Sequence, residues 1–129
     1  MKKITALLLI TFLFCYASFA QNNTTEKDTT ENTIQRVSKA EFVAYMAENS
    51  EFILLDVRTP LEFNRGTIDG AINIDFTDSN FKSEINKLDK SQPILLFCQS
   101  GGRSSRALVM LKSVGFKCVL ELEGGYGQY

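Results

Sequence analysis

Two unbroken apolar runs constrain this chain most: Phe52-Ile53-Leu54-Leu55-Asp56-Val57 and Pro93-Ile94-Leu95-Leu96-Phe97. Neither alternates apolar with polar residues, so each reads as a strand covered on both faces, the pattern of a parallel sheet. Helix signals lie between and around them. Thr59-Pro60-Leu61-Glu62 joins a capping box to a proline at the first helical position, and Ser38-Lys39-Ala40-Glu41 repeats the capping-box spacing ahead of Phe42, Val43 and Met46. The helix that Ser38 opens should stop before Glu51. Ala71 to Ile74 offers a third short strand, and Phe81, Ile85 and Leu88 mark another helix. Ala107, Leu108, Leu111 and Val114 form a helical stripe that Gly115 ends, with Phe116 beside it. Cys118 to Leu122 reads as the last strand and Glu123-Gly124-Gly125 as a turn. Strands alternating with helices imply an α/β fold, a three-layer sandwich around a mostly parallel central sheet.

The chain opens with Met1-Lys2-Lys3, an apolar stretch from Ile4 to Phe14, and Ala17-Ser18-Phe19-Ala20, which places small residues at the −3 and −1 positions of a cleavage site. Residues 1–20 therefore read as a signal peptide, cut after Ala20, and the product as an exported protein, periplasmic or extracellular. No membrane span is expected to remain after cleavage. Bulky Phe14 argues against acylation of Cys15. Residues 21–33 carry no apolar side chain and are expected to form a flexible tether, leaving 34–129 as a single folded domain.

There is no histidine, which excludes catalytic triads, Cys-His dyads and imidazole zinc sites. The first segment holds two of the 14 cationic side chains, so its removal leaves 12 against 15 acidic groups, a charge of −3. A chain so charged has no basic stripe for nucleic acid, and none is expected as a partner.

Chemistry concentrates at Cys98-Gln99-Ser100-Gly101-Gly102-Arg103-Ser104, where a strand gives way to a helix. Ligands of parallel α/β sheets bind outside the carboxyl ends of the strands. The glycines let successive N–H groups turn inward as an anion-binding nest, the helix adds its positive end, and Arg103 supplies a fixed cation. A thiol so placed ionises readily. The bland alternative, a buried small residue before a tight turn, fits an isolated cysteine better than this whole assembly. A nucleotide phosphate loop would need Gly-Lys-Ser/Thr, which is missing.

Residues 34 to 125 resemble a single rhodanese domain, the sulfurtransferase family. The likeness rests on Leu55-Asp56-Val57-Arg58-Thr59-Pro60 with Glu62-Phe63, on Gly66-Thr67-Ile68-Asp69-Gly70-Ala71-Ile72-Asn73-Ile74, on the Cys98 loop, and on Glu123-Gly124-Gly125, in that order. It implies that Cys98 is a nucleophile that takes a sulfane sulfur from a small anion such as thiosulfate, or from a persulfide. The sulfur then passes to a thiol, a cyanide-like acceptor or an unidentified protein acceptor. No metal or organic cofactor is implied. The backbone from Gln99 to Arg103, with Ser104, would cradle the donor. The six residues from Cys98 to Arg103 match the sulfurtransferase loop, whereas the cysteine phosphatases of the same fold carry one residue more.

Three positions depart from the family pattern. Gln99 stands where thiosulfate-specific members often have a second Arg, which makes thiosulfate a weak donor. Thr67 replaces a frequent His, and Tyr129 ends the chain where many relatives continue with a helix. A supporting role is expected for three residues, with Asp56 capping backbone and Arg58 paired to Glu62; the sharper reading makes them an acid, a cation and a base. Cys118 should be core rather than a disulfide partner. It begins a strand where Cys98 ends one, some ~17 Å apart for strands of about five residues, against the ~7 Å limit between Cα atoms of a disulfide. The alternatives to a sulfurtransferase are a non-catalytic binding module of the same fold and a thiol redox protein using Cys98.

Overall fold

The structure is a computed structural model and describes residues 32–129. The expected signal peptide and nearly all of the expected tether lie outside the described residues. The elements run β1 (Thr33–Val37), α1 (Lys39–Glu48), β2 (Ile53–Asp56), α2 (Pro60–Asn64), β3 (Ile72–Asn73), α3 (Phe81–Asn86), β4 (Ile94–Phe97), α4 (Gly102–Ser113), β5 (Cys118–Leu122) and a closing 3-10 turn, Tyr126–Gln128. The sheet order is β1-β5-β4-β2-β3, and every neighbouring pair is parallel.

Both capping boxes form as the sequence requires. The Ser38 hydroxyl accepts from the amide of Glu41, whose carboxylate takes the Ser38 amide at 2.8 Å, and Thr59 and Glu62 repeat the exchange at the start of α2. Each such cap satisfies two of the amide donors that a helix start leaves unpaired.

Side chains along each strand alternate between two apolar layers. Leu55, Ile94, Leu96 and Val119 face one side and meet Phe81, Ile85, Ala107 and Leu111 of α3 and α4. Leu54, Leu95, Phe97, Leu120 and Leu122 face the other and pack on Phe42 of α1 and on Ile68. Leu55, Leu95, Leu96 and Phe97 are fully buried, and covering each contributes about 1.5–3 kcal/mol. The three-layer arrangement expected of the two apolar runs is therefore present, and Cys98 follows directly at the carboxyl end of β4.

The first strand was not anticipated. Thr33, assigned to the tether, pairs with Cys118 in β1, and Ile34 with Val119. In β1 Gln35 and Arg36 are exposed, as an edge strand permits, so no apolar run announces it.

Candidate active site

The loop after β4 curls back over the Cys98 sulfur. Gly101 has φ +104°, a left-handed conformation that glycine adopts without strain, and its amide points at Sγ from 3.1 Å. The thiol in turn donates to the Ser104 hydroxyl at 3.4 Å. Burial pushes this thiol up, but its hydrogen bond with the Ser104 hydroxyl and those from the amides of Ser104, Gly101 and Ser100 outweigh it. The net result lies below the ordinary cysteine value. Gln99, Ser100 and Gly102 are exposed and line the mouth of the loop, with Gly101 and Arg103 half-buried behind them.

A second turn holds the loop from outside. The amides of Tyr126 and Gly127 donate to the carbonyls of Cys98 and Gln99 at 2.7 and 2.9 Å. This contact requires Gly125, because a Cβ there would stand 2.5 Å from the Cys98 carbonyl oxygen at a φ of +64°.

The supporting residues are near the loop, but their pairing differs from the expected one. Arg58 does not bind Glu62. Its Nε and Nη2 grip the Asp56 carboxylate at 3.0 and 2.6 Å, its Nη2 also reaches the Gly66 carbonyl at 2.7 Å, and its Nη1 donates to Gln99 Oε1 at 3.2 Å. Asp56 does cap backbone as expected, accepting the Arg58 amide at 2.9 Å, and Thr67 Oγ1 donates to it at 2.9 Å. Thr67 thus braces the buried carboxylate. The Arg58 guanidinium lies 4.2 Å from the centre of the Tyr126 ring and 5.9 Å from that of Phe97, beside the two stacked rings.

Glu62 takes Arg103 instead, through a two-pronged pair of 2.7 Å bonds. Those bonds, with Thr59 assisting against burial, hold the Glu62 carboxyl far below the usual carboxylate range, and they raise Arg103 above its ordinary value. The contribution of this pair to stability is complete at pH values above the unfolded carboxyl value of about 4.3 and is lost progressively as pH falls from there into strong acid. The cation at the end of the loop is therefore already partnered.

Three residues beside the loop escaped the sequence reading. Glu121 on β5 is buried and accepts from the hydroxyls of Ser104 and Ser105 at 2.7 and 2.9 Å, and Arg36 of β1 reaches its other oxygen at 3.4 Å. A lone carboxylate inside the apolar run Cys118-Val119-Leu120-Glu121-Leu122 was the available signal.

Cys118, partly buried at the opposite end of the sheet, is unbridged, as is Cys98. A pocket between α2 and α3 has Asp75, Asp78 and Glu84 on its walls but no residue of the loop, so its charge does not suit an anionic donor. Among the described residues no helix is long and apolar enough to cross a membrane.

Likeness to known proteins follows the same segment. The chain is 38% identical over 85 residues to a tRNA uridine(34) hydroxylase of Pelagibacter ubique, covering 65% of this chain and 28% of that protein. It is 36% identical over 85 residues to a chloroplastic thiosulfate sulfurtransferase of Arabidopsis thaliana, covering 58% of this chain and 71% of the relative. The chain spans a third or less of the length of the hydroxylases it matches. A crystal structure of a rhodanese-related protein from Thermoplasma volcanium superposes with a TM-score of 0.63 at 25% identity, over 73% of this chain and 89% of that one. The family model of the rhodanese-like domain matches residues 38–129, which take in every strand after the first, the Cys98 loop and the turn that holds it; the chain belongs to that family.

Proposed function

We propose that the protein is an exported sulfurtransferase in which Cys98 attacks the outer sulfur of a donor, carries it as a persulfide and yields it to a thiophilic acceptor. One observation carries this reading: the Cys98 sulfur sits at the carboxyl end of β4 with the amides of the loop directed at it, so negative charge on the sulfur is stabilised there. The loop needs no imidazole, which suits a chain without histidine. Intact-mass measurement of the purified protein after incubation with thiosulfate, a mercapto-acid donor or glutathione persulfide tests it. Gain of one sulfur atom, removed by a thiol acceptor, is the expected result. A protein that stays unmodified with every donor returns the domain to a binding role, and a mass gain of oxygen rather than sulfur to thiol redox chemistry.

The donor should be a persulfide more than thiosulfate. A dianion gains most from uncompensated cations, and here Arg103 is paired with Glu62 while Arg58 is paired with Asp56. An Arg at position 99 would lose the bond from Arg58 and set two guanidinium groups together, so Gln99→Arg is not the substitution that frees charge. Glu62→Gln is, because glutamine keeps the capping box and releases Arg103. Steady-state kinetics should show the thiosulfate KM of Glu62→Gln falling severalfold, with glutathione persulfide changed less. An unaltered or higher thiosulfate KM would mean that Arg103 charge does not limit this donor.

Export rests on the small residues Ser18 and Ala20 ahead of the tether. N-terminal sequencing of the protein recovered from the periplasm or medium should begin at Gln21, and a start at Met1 in the cytoplasm would remove the export step.

A further inference from the structure

The hydroxyl of Ser104 has one proton and three acceptors near it: Glu121 Oε1 at 2.7 Å, the Gly101 carbonyl at 3.2 Å and the Cys98 sulfur at 3.4 Å. Ser105 has the same difficulty on a smaller scale, with the Gly101 carbonyl at 2.7 Å and Glu121 Oε1 at 2.9 Å. Strand alternation explains the gathering. Glu121 lies two residues from Val119 and so points to the same face of the sheet, beneath the first turn of α4. Cys98, Ser104 and Glu121 are 1%, 0% and 2% exposed, which leaves the chain of hydrogen bonds dry.

With Cys98 as a thiol, each proton has one taker. The S–H group donates to Ser104, Ser104 to the Glu121 carboxylate, and Ser105 to Gly101. A thiolate upsets this arrangement, because the sulfur then needs the proton of Ser104. If Ser104 turns to the sulfur, its oxygen faces Glu121 Oε1 at 2.7 Å with no hydrogen between two lone pairs. A proton on Oε1 removes the conflict.

We propose that Cys98 and Glu121 share one proton through Ser104, with Glu121 taking it up as Cys98 ionises. The S–H bond of Cys98 breaks and its proton passes to Ser104 Oγ, while the former Ser104 proton passes to Glu121 Oε1. The electron pair stays on sulfur, and the net charge of the three side chains does not change. Glu121 thus acts through Ser104 as a positioning residue that holds the proton the sulfur releases. The charged groups around this pair are few. Arg36 of β1, half exposed, faces Oε2; Arg103 of α4 acts on the sulfur from its pairing with Glu62 of α2; and the Asp56–Arg58 pair of β2 lies under Gln99. The inference rests on the reading of Cys98 as the nucleophile, but its test does not need sulfur transfer.

The measurement is the rate of Cys98 alkylation by iodoacetamide against pH, read from peptide masses, in the wild type, Glu121→Gln, Ser104→Ala and the double variant. While the pair shares one proton, the wild-type rate should hold a plateau between two pH steps; the glutamine amide donates to Ser104 permanently, so Glu121→Gln should show one step and alkylate Cys98 about fivefold faster at the plateau pH. In the Ser104→Ala background the same substitution should change the rate less than about twofold. An equal effect in both backgrounds, or none in either, overturns the proposal. Infrared spectra of wild-type protein with isotope-labelled glutamate decide it even if a variant fails to fold: near neutral pH a protonated glutamate carboxyl band should be present and should vanish when iodoacetamide caps Cys98. Its absence before capping overturns the proposal, whereas failure of sulfur uptake alone counts only against the sulfurtransferase reading.

Discussion

Replacing Cys98 by serine should abolish sulfur uptake while the far-ultraviolet circular dichroism and the unfolding midpoint stay close to wild type. A serine hydroxyl fits the same space and can still accept from Gly101, so the loop keeps its shape. It is not ionised near neutral pH and cannot be the soft, charged nucleophile that the amides support. The expected loss is complete on the scale of a mass measurement. Cys118→Ser should retain uptake, since Cys118 occupies the start of β5, where burial pushes its thiol up rather than down. A serine variant at position 98 that still gains sulfur would place the nucleophile elsewhere.

Replacing Asp56 by alanine should cost the most stability. Arg58 is 2% exposed, and Asp56 supplies the only carboxylate that touches it among the described residues. Removing one member of a buried ion pair strands the other charge, at about 3–5 kcal/mol. That is a large share of the ~5–15 kcal/mol that holds a typical domain together. Urea unfolding should show the midpoint fall with the slope unchanged. Because Arg58 also holds Gln99, loop order should decline in the variant even under folding conditions. A loss below about 1 kcal/mol would mean that water or the Gly66 and Gln99 acceptors already satisfy the guanidinium.

These two residues also mark where the sequence was legible and where it was not. Strand β2 could be read because an unbroken Ile-Leu-Leu run suits only a strand covered on both faces, and α2 because its cap is complete within four residues. The Asp56–Arg58 pair spans a turn two residues long, and an aspartate accepting an amide two residues on is a local habit of that side chain. The partner of Arg103 lies 41 residues away, and only the placement of α2 beside the loop brings Glu62 to it. Proximity in sequence favours Glu62 as the partner of Arg58, but the fold pairs Arg58 with Asp56 and Glu62 with Arg103. Strand β1 was missed because an edge strand needs one apolar side at most. Glu121 is illegible for a different reason: Asp56 closes β2 and so marks a strand end, whereas Glu121 sits one residue inside the end of β5, where nothing local marks its partners on β1 and α4.

The turn at Tyr126 and Gly127 has a consequence for the sign of the field at the sulfur. A trans peptide group is planar, with its carbonyl and its N–H pointing in opposite directions. Holding the carbonyls of Cys98 and Gln99 toward the 3-10 turn therefore turns the N–H groups of Gln99 and Ser100 away from it, and the Ser100 amide is one of those that reach the thiol. Were either carbonyl released, its peptide unit could rotate and present oxygen where hydrogen now stands, replacing an attraction for the thiolate with a repulsion. The electrostatic polarity of a loop that begins at Cys98 is thus latched by backbone more than 25 positions downstream, through contacts that involve no charged atom.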